Sequence, residues 1–215
     1  MSSCARWQTA SPTTLAVAFG RVWLGAGRTL IVTGTGSSTF GNAYDDFATA
    51  DASVTTVLTD TDLIHAITAL RFIDNYLYIV GDNSIKSIGS ISVTSSITNF
   101  TITTLSSDQG TIYKQTVISF NRLILFANTV GVFAVFGTSV EKISDAMDGL
   151  FRAIDFTQTP QAAVNDINNI HTYLLLVRYK DPAGARSLIL GFASKKWFVM
   201  AQGNSLKALV TAVLG

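Results

Sequence analysis

Four stretches of this chain read alike: each ends a strand, crosses a polar turn and enters a second, buried strand. They are Phe19-Gly20-Arg21-Val22-Trp23-Leu24-Gly25, the run from Phe72 through Asp74-Asn75 to Val80, Phe120-Asn121-Arg122-Leu123-Ile124-Leu125-Phe126, and the run from Ile170 through His171-Thr172 to Val177. Their first residues stand 53, 48 and 50 residues apart. A period near 50 built of short apolar runs is the spacing of propeller blades, each a four-stranded antiparallel sheet. Four such units fit in 215 residues. The expected fold is all-β, a β-propeller-like array of antiparallel four-stranded blades with about four repeats of roughly 50 residues. It is expected to occupy residues 14–215 behind a flexible arm at 1–13.

The clearest run of strands is 117–144, where β-branched and aromatic residues cluster at 117–120, 123–126 and 130–136. Each cluster is too short for a convincing helix and is bounded by turn residues. Asn121-Arg122 suits a two-residue hairpin because Asn tolerates positive φ, although Arg is a poorer second residue than Gly. Further strands are expected at 15–19, 22–24, 30–32, 63–70, 174–177, 187–192 and 197–200. Residues 85–102 alternate apolar with Ser and Thr, the pattern of a half-buried strand pair. A helical turn is expected only in 141–151, capped by Ser144, with Asp145 near its start and Gly149 at its end. The apolar stretch 206–214 should pair with the first blade or a partner chain, since an unpaired apolar strand invites aggregation.

Composition narrows the function. Charged residues are 13% of the chain, about half the usual 25%, and mean hydropathy is +0.37. A surface of Ser, Thr and Asn in place of Lys and Glu suggests that neighbours cover much of it, as in a subunit of a large assembly. The net charge of +1 argues against binding nucleic acid by bulk electrostatics, though a local basic strip remains compatible with it. The single Cys4 has no internal disulfide partner, and Met-Ser-Ser precedes it without an apolar segment, so folding in a reducing cytoplasm is expected. No apolar run approaches the roughly 20 residues that span a bilayer, so no membrane insertion is expected.

The chemical motifs are weak. The small-residue loop 34–41 lacks the Lys-Ser/Thr ending of a phosphate-binding loop. Three carboxylates at Asp45, Asp46 and Asp51, and two at Asp60 and Asp62, lack the spacing of a calcium loop and read as solvated turns. His65 is expected to be packed or hydrogen-bonded, and His171 has no obvious carboxylate neighbour. Ser106-Ser107-Asp108-Gln109-Gly110-Thr111-Ile112-Tyr113 approaches the Asp-box hairpin of sialidase-like propellers, but occurs once and reads as a turn. No Gly-x-Ser-x-Gly elbow is present, and the chain is not expected to be an enzyme or to carry a cofactor or metal.

Several of these residues, in this order, resemble a known family. The Asp/Gly turn at 107–110, Gly-Val-x-x-Val-x-Gly at 131–137, Glu141-Lys142-Ile143-Ser144 with Asp148, the run 173–177, Asp181-Pro182 and Lys196-Trp197-Phe198 are similar to the tail nozzle and packaged-DNA-stabilisation proteins of short-tailed bacteriophages. The blade opening at 17–24 and the aromatic, acidic loop at 44–47 add to the likeness. Such proteins are usually considerably longer.

The resemblance implies a structural virion protein of a phage tail, made and assembled in the host cytoplasm. It implies a homo-oligomeric ring, a hexamer, below the portal and adaptor, lining or closing the channel that retains the packaged double-stranded DNA. Contact with that DNA would be to phosphates and independent of sequence. The cations singled out for this contact are Arg21, Arg122, Lys86 and Lys114, of which Arg21 and Arg122 occupy matching turn positions in two repeats. The alternative is a glycan-binding or sialidase-like propeller, with Trp7, Trp23 and Trp197 stacking on sugars, although no paired-acid or triple-arginine pattern stands out.

Overall fold

The computed structural model describes residues 11–33, 54–58, 65–94, 97–180 and 186–203. The segments 1–10, 34–53, 59–64 and 204–215 hold the acidic clusters, Cys4, Trp7 and the expected strand 206–214, which therefore lie outside the described residues. The described chain is all-β, with five antiparallel sheets and one short helix. It divides into two compact units, Met1–Ile112 and Tyr113–Gly215. Among the described residues no helix is long and apolar enough to cross a membrane.

In the first unit, strands β1 (Thr14–Ala18), β2 (Arg21–Ala26), β3 (Thr29–Val32) and β4 (Val54–Val57) form one meander. The second sheet joins β5 (Ile67–Ile73), β6 (Tyr76–Gly81), β7 (Ile85–Ile88) and β10 (Thr103–Ser106). A hairpin of β8 (Ile91–Thr94) and β9 (Ile97–Phe100) is inserted between its third and fourth strands. The core gathers around Trp23, Leu30, Val32, Leu70, Leu77 and Ile79, and the inserted hairpin packs Ile91 and Phe100 against it.

In the second unit, β11 (Ile118–Phe120), β12 (Leu123–Asn128), β13 (Gly131–Phe136) and β14 (Ser139–Lys142) form a third meander. A fourth comprises β15 (Gln161–Ile167), β16 (Ile170–Tyr179), β17 (Arg186–Ala193) and β18 (Lys196–Gly203). A 3₁₀ turn at Asp145–Met147 and the one-turn helix α1 (Asp148–Phe151) link them, and Phe151 and Ile154 enter the shared core with Leu125, Tyr173 and Leu190.

Left-handed turn residues set the registers. Phe19-Gly20, Asp74-Asn75, Asn168-Asn169 and Ser194-Lys195 all have positive φ at both positions, the sign pattern of a type I′ hairpin. Those turns close the pairs Ala18↔Arg21, Ile73↔Tyr76, Ile167↔Ile170 and Ala193↔Lys196. At Asn121-Arg122 the positive φ falls on Asn121. Phe19 is a costly occupant of that region, since a bulky side chain at φ 53° crowds its own backbone. Edge-to-face contacts with Phe72 at 5.1 Å and Trp23 at 6.3 Å offset the cost.

Several sequence expectations need correction. The strand placed at 63–70 is Ile67–Ile73, and His65 stands at a bend before it. The half-buried pair read into 85–102 is three strands, and all four residues of β7 are buried, the strand lying between β6 and β10 in its sheet. The Ser144 hydroxyl does not cap the helical turn. It accepts a 2.9 Å hydrogen bond from the Val132 N–H instead, tying the start of the turn to β13, and Gly149 lies inside α1. Residue 13 is already tied to the first sheet, its N–H donating to the Gly25 carbonyl at 2.8 Å.

Candidate functional site

The fold treats the four singled-out cations in two ways. Arg21 is fully buried, its guanidinium donating from Nη1 to the Thr33 carbonyl at 3.1 Å and to Thr98 Oγ1 at 2.8 Å. That second bond ties β2 to the inserted hairpin, and burial pushes the Arg21 pKa down from its ordinary value. Lys86 is equally buried and donates from Nζ to Thr104 Oγ1 at 2.7 Å, linking β7 to β10. Neither side chain has a solvent face in this chain with which to meet a phosphate. Arg122, in the turn after β11, and Lys114, in the 3₁₀ turn Lys114–Thr116, are exposed.

The tryptophans are also accounted for. Trp23 is fully buried, donates from Nε1 to the Ala18 carbonyl at 2.9 Å and meets Phe100 edge-to-face at 5.3 Å, so it offers no platform to a sugar. Trp197 is half-buried and donates to the Ile143 carbonyl at 2.8 Å. The Asp-box-like stretch is a turn: Ser106 Oγ donates to Asp108 Oδ1 at 2.8 Å and accepts from the Gln109 N–H at 3.1 Å. These bonds hold the exposed Asp108 carboxyl below its ordinary pKa, the Ser106 hydroxyl contributing most. Gly110 lets that loop lie against the β6–β7 turn, where an added Cβ would sit 2.6 Å from the Asn83 nitrogen.

A concave site emerges in the second unit, where the turns after β11, β13, β15 and β17 lie at the ends of the two sheets. Alternate hairpins of a meander turn at the same end, which brings these loops around a cleft of about 940 Å³. Its apolar wall includes Phe120, Leu123, Phe136, Ile143 and Phe192, and its rim carries Asn121, Ser139, Glu141, Asn169 and Lys195. Phe136 is 55% exposed there.

His171 is the ordered polar group of the cleft. Its Nδ1 lies 2.7 Å from Asp166 Oδ1, and its ring stacks on Phe120 with centroids 5.0 Å apart and planes 15° apart. The sequence reading missed this carboxylate. It placed the turn at His171-Thr172, whereas the turn is Asn168-Asn169, which puts Asp166 directly across from His171. A two-residue Asn-Asn turn was itself the signal that pairs residues 166 and 171. His65 has a similar partner, Asp82, with Nδ1 at 3.1 Å from Oδ2.

A nucleophilic mechanism requires a hydroxyl or thiol within hydrogen-bond reach of the base, and among the described residues no hydroxyl bonds His171. No group of three or more His, Cys, Asp or Glu side chains able to hold a metal ion occurs among the described residues. Compared with known proteins, the chain matches no family model and no curated protein.

Proposed function

We propose that the chain is a structural subunit of a bacteriophage tail, a propeller-like nozzle component that joins copies of itself into a ring below the portal and adaptor and helps retain packaged DNA. The observation that carries this reading is the outer edge of the fourth sheet. On β18, Phe198, Val199 and Met200 are 40%, 54% and 40% exposed, three consecutive apolar residues on a strand at the sheet edge. Consecutive residues face opposite sides of a sheet, so both faces of that edge are apolar. A lone soluble chain protects such an edge with charge, and only 13% of this chain is charged. A neighbouring subunit is the natural cover.

The sheet arrangement supports the propeller part of the reading. Four four-stranded meanders recur along the chain, and within each unit the first strands lie together, β1 beside β5 and β11 beside β15. Blades converge in that way on their inner strands. The order of motifs shared with the tail nozzle proteins supplies the rest. Arg122 and Lys114 are exposed and in this reading would be the cations that meet DNA phosphates, while Arg21 and Lys86 are buried in the first unit.

The test is assembly into particles. Phage carrying Arg122→Gln with Lys114→Gln should form complete tails yet lose packaged DNA more readily at raised salt, because phosphate contacts are screened. Particles lacking the chain should leak DNA altogether. If tails assemble and hold their genomes without this chain, the reading is wrong.

A further inference from the structure

We propose that the cleft of the second unit binds a neutral saccharide. Three observations carry this, and they hold for a tail subunit and for a free-standing module alike. First, the cleft, at about 940 Å³, falls within the range of small-ligand sites and has the usual character of one, an apolar wall with a few convergent polar groups. Second, its rim is mixed in charge and chemistry. Glu141 and Lys195 bring one formal charge of each sign, and Asn121 and Asn169 bring amides that both donate and accept. Third, its aromatic surface is presented and held: Phe136 is half exposed, and His171 is fixed between Phe120 and Asp166.

These features select among ligand classes. A phosphate or carboxylate ligand would meet Glu141 at the rim, with Lys195 as the one opposing charge. A purely apolar ligand would desolvate the amides and charges of the rim without giving them partners, which is costly. A pyranose avoids both penalties. Each of its hydroxyls donates and accepts, so it can satisfy a carboxylate, an ammonium and amides together. Its axial C–H face can lie against the electron-rich face of an aromatic ring, and Phe136 is the exposed phenyl ring of the lining.

The positions of the polar groups are also fixed in advance. Asn121, Asn169 and Lys195 sit in two-residue turns with φ of 53°, 62° and 61°, so the hairpins, and not a mobile loop, carry them. Preorganisation of this kind lowers the entropic cost of holding a polar ligand.

The experiment uses the full chain and two readouts, an array of neutral and anionic glycans and saturation-transfer NMR with the best neutral hit. Glucose, galactose, mannose and N-acetylglucosamine oligosaccharides form the neutral set, and sialylated and sulfated glycans the anionic set. The expected result is binding to at least one neutral saccharide, weakened about tenfold or more in Phe136→Ser and in Glu141→Gln, an affinity loss readily resolved. Ile112→Ser, at a residue 69% exposed and outside the cleft lining, should bind as the unmodified chain does. Phe136 and Glu141 are exposed, so both variants are expected to fold, and an unchanged urea midpoint checks this. No neutral binding, binding of anionic glycans alone, or neutral binding unaffected by both cleft variants each overturns the proposal.

Discussion

Arg21 and Arg122 hold matching places in the sequence repeat, each just before a buried strand, and the fold sends one inward and the other to solvent. The difference lies in what covers each turn. The inserted hairpin gives Arg21 a partner in Thr98. Replacing Arg21 with Ala strips donors from buried Thr33 and Thr98 acceptors and should cost about 2–4 kcal/mol, while Arg122→Ala should stay within about 0.5 kcal/mol. Urea unfolding of both variants measures the contrast. Equal costs would contradict the assignment of Arg21 to the interior. Asp108 and Asp155 make an acid-side prediction. Ser106 and Thr157 donors hold their folded pKa values below the ordinary 3.8. Lowered folded values contribute stability that is present above 3.8 and lost as pH falls through the folded values. Asp108→Asn with Asp155→Asn should therefore lower the urea midpoint at about pH 7, by an amount that shrinks as the pH is taken down through the carboxylate range. A deficit that persists at the acid end would mean that the substitutions act through something other than these carboxylates.

At the scale of elements, the hairpins were legible in the sequence because their turn residues carry a backbone requirement. Asp74-Asn75 lies where the sequence reading put it, and its φ values of 49° and 64° explain why Asp and Asn stand there. Asn75→Gly should be neutral or stabilising by a few tenths of a kcal/mol, and Asn75→Val destabilising by about 1–2 kcal/mol, since a β-branched residue is strained at positive φ. Thermal denaturation distinguishes the two. The Asp166–His171 pair was equally legible, but taking His171-Thr172 as the turn shifted the register and hid it. The inserted hairpin was not legible, because Ser/Thr alternation in 85–102 reads the same whether the polar face meets water or another strand. Gly110 belongs here too. Its loop rests on the β6–β7 turn so closely that Gly110→Ala must move backbone, a change expected to cost about 1–3 kcal/mol by urea unfolding. A neutral Gly110→Ala would mean that the two loops are not in contact.

At the scale of the whole molecule, the sequence period near 50 found its counterpart in four four-stranded meanders. Apolar residues are left exposed at strand positions, on β18 and also at Leu15 and Val17 of β1, and the proposed assembly would cover them. Periodicity could not say what covers those positions, since burial by a second chain and burial within one chain demand the same apolar residues. The proposed ring rests on that exposed edge. The direct measurement is the mass of the purified 23.0 kDa chain by light scattering, alone and with portal and adaptor proteins, alongside a Val199→Glu, Met200→Glu variant. The account predicts a multiple of the chain mass, formed alone or on adding those partners, and its loss in the variant. A monomer at every concentration, indifferent to both partners and to the substitutions, would contradict it.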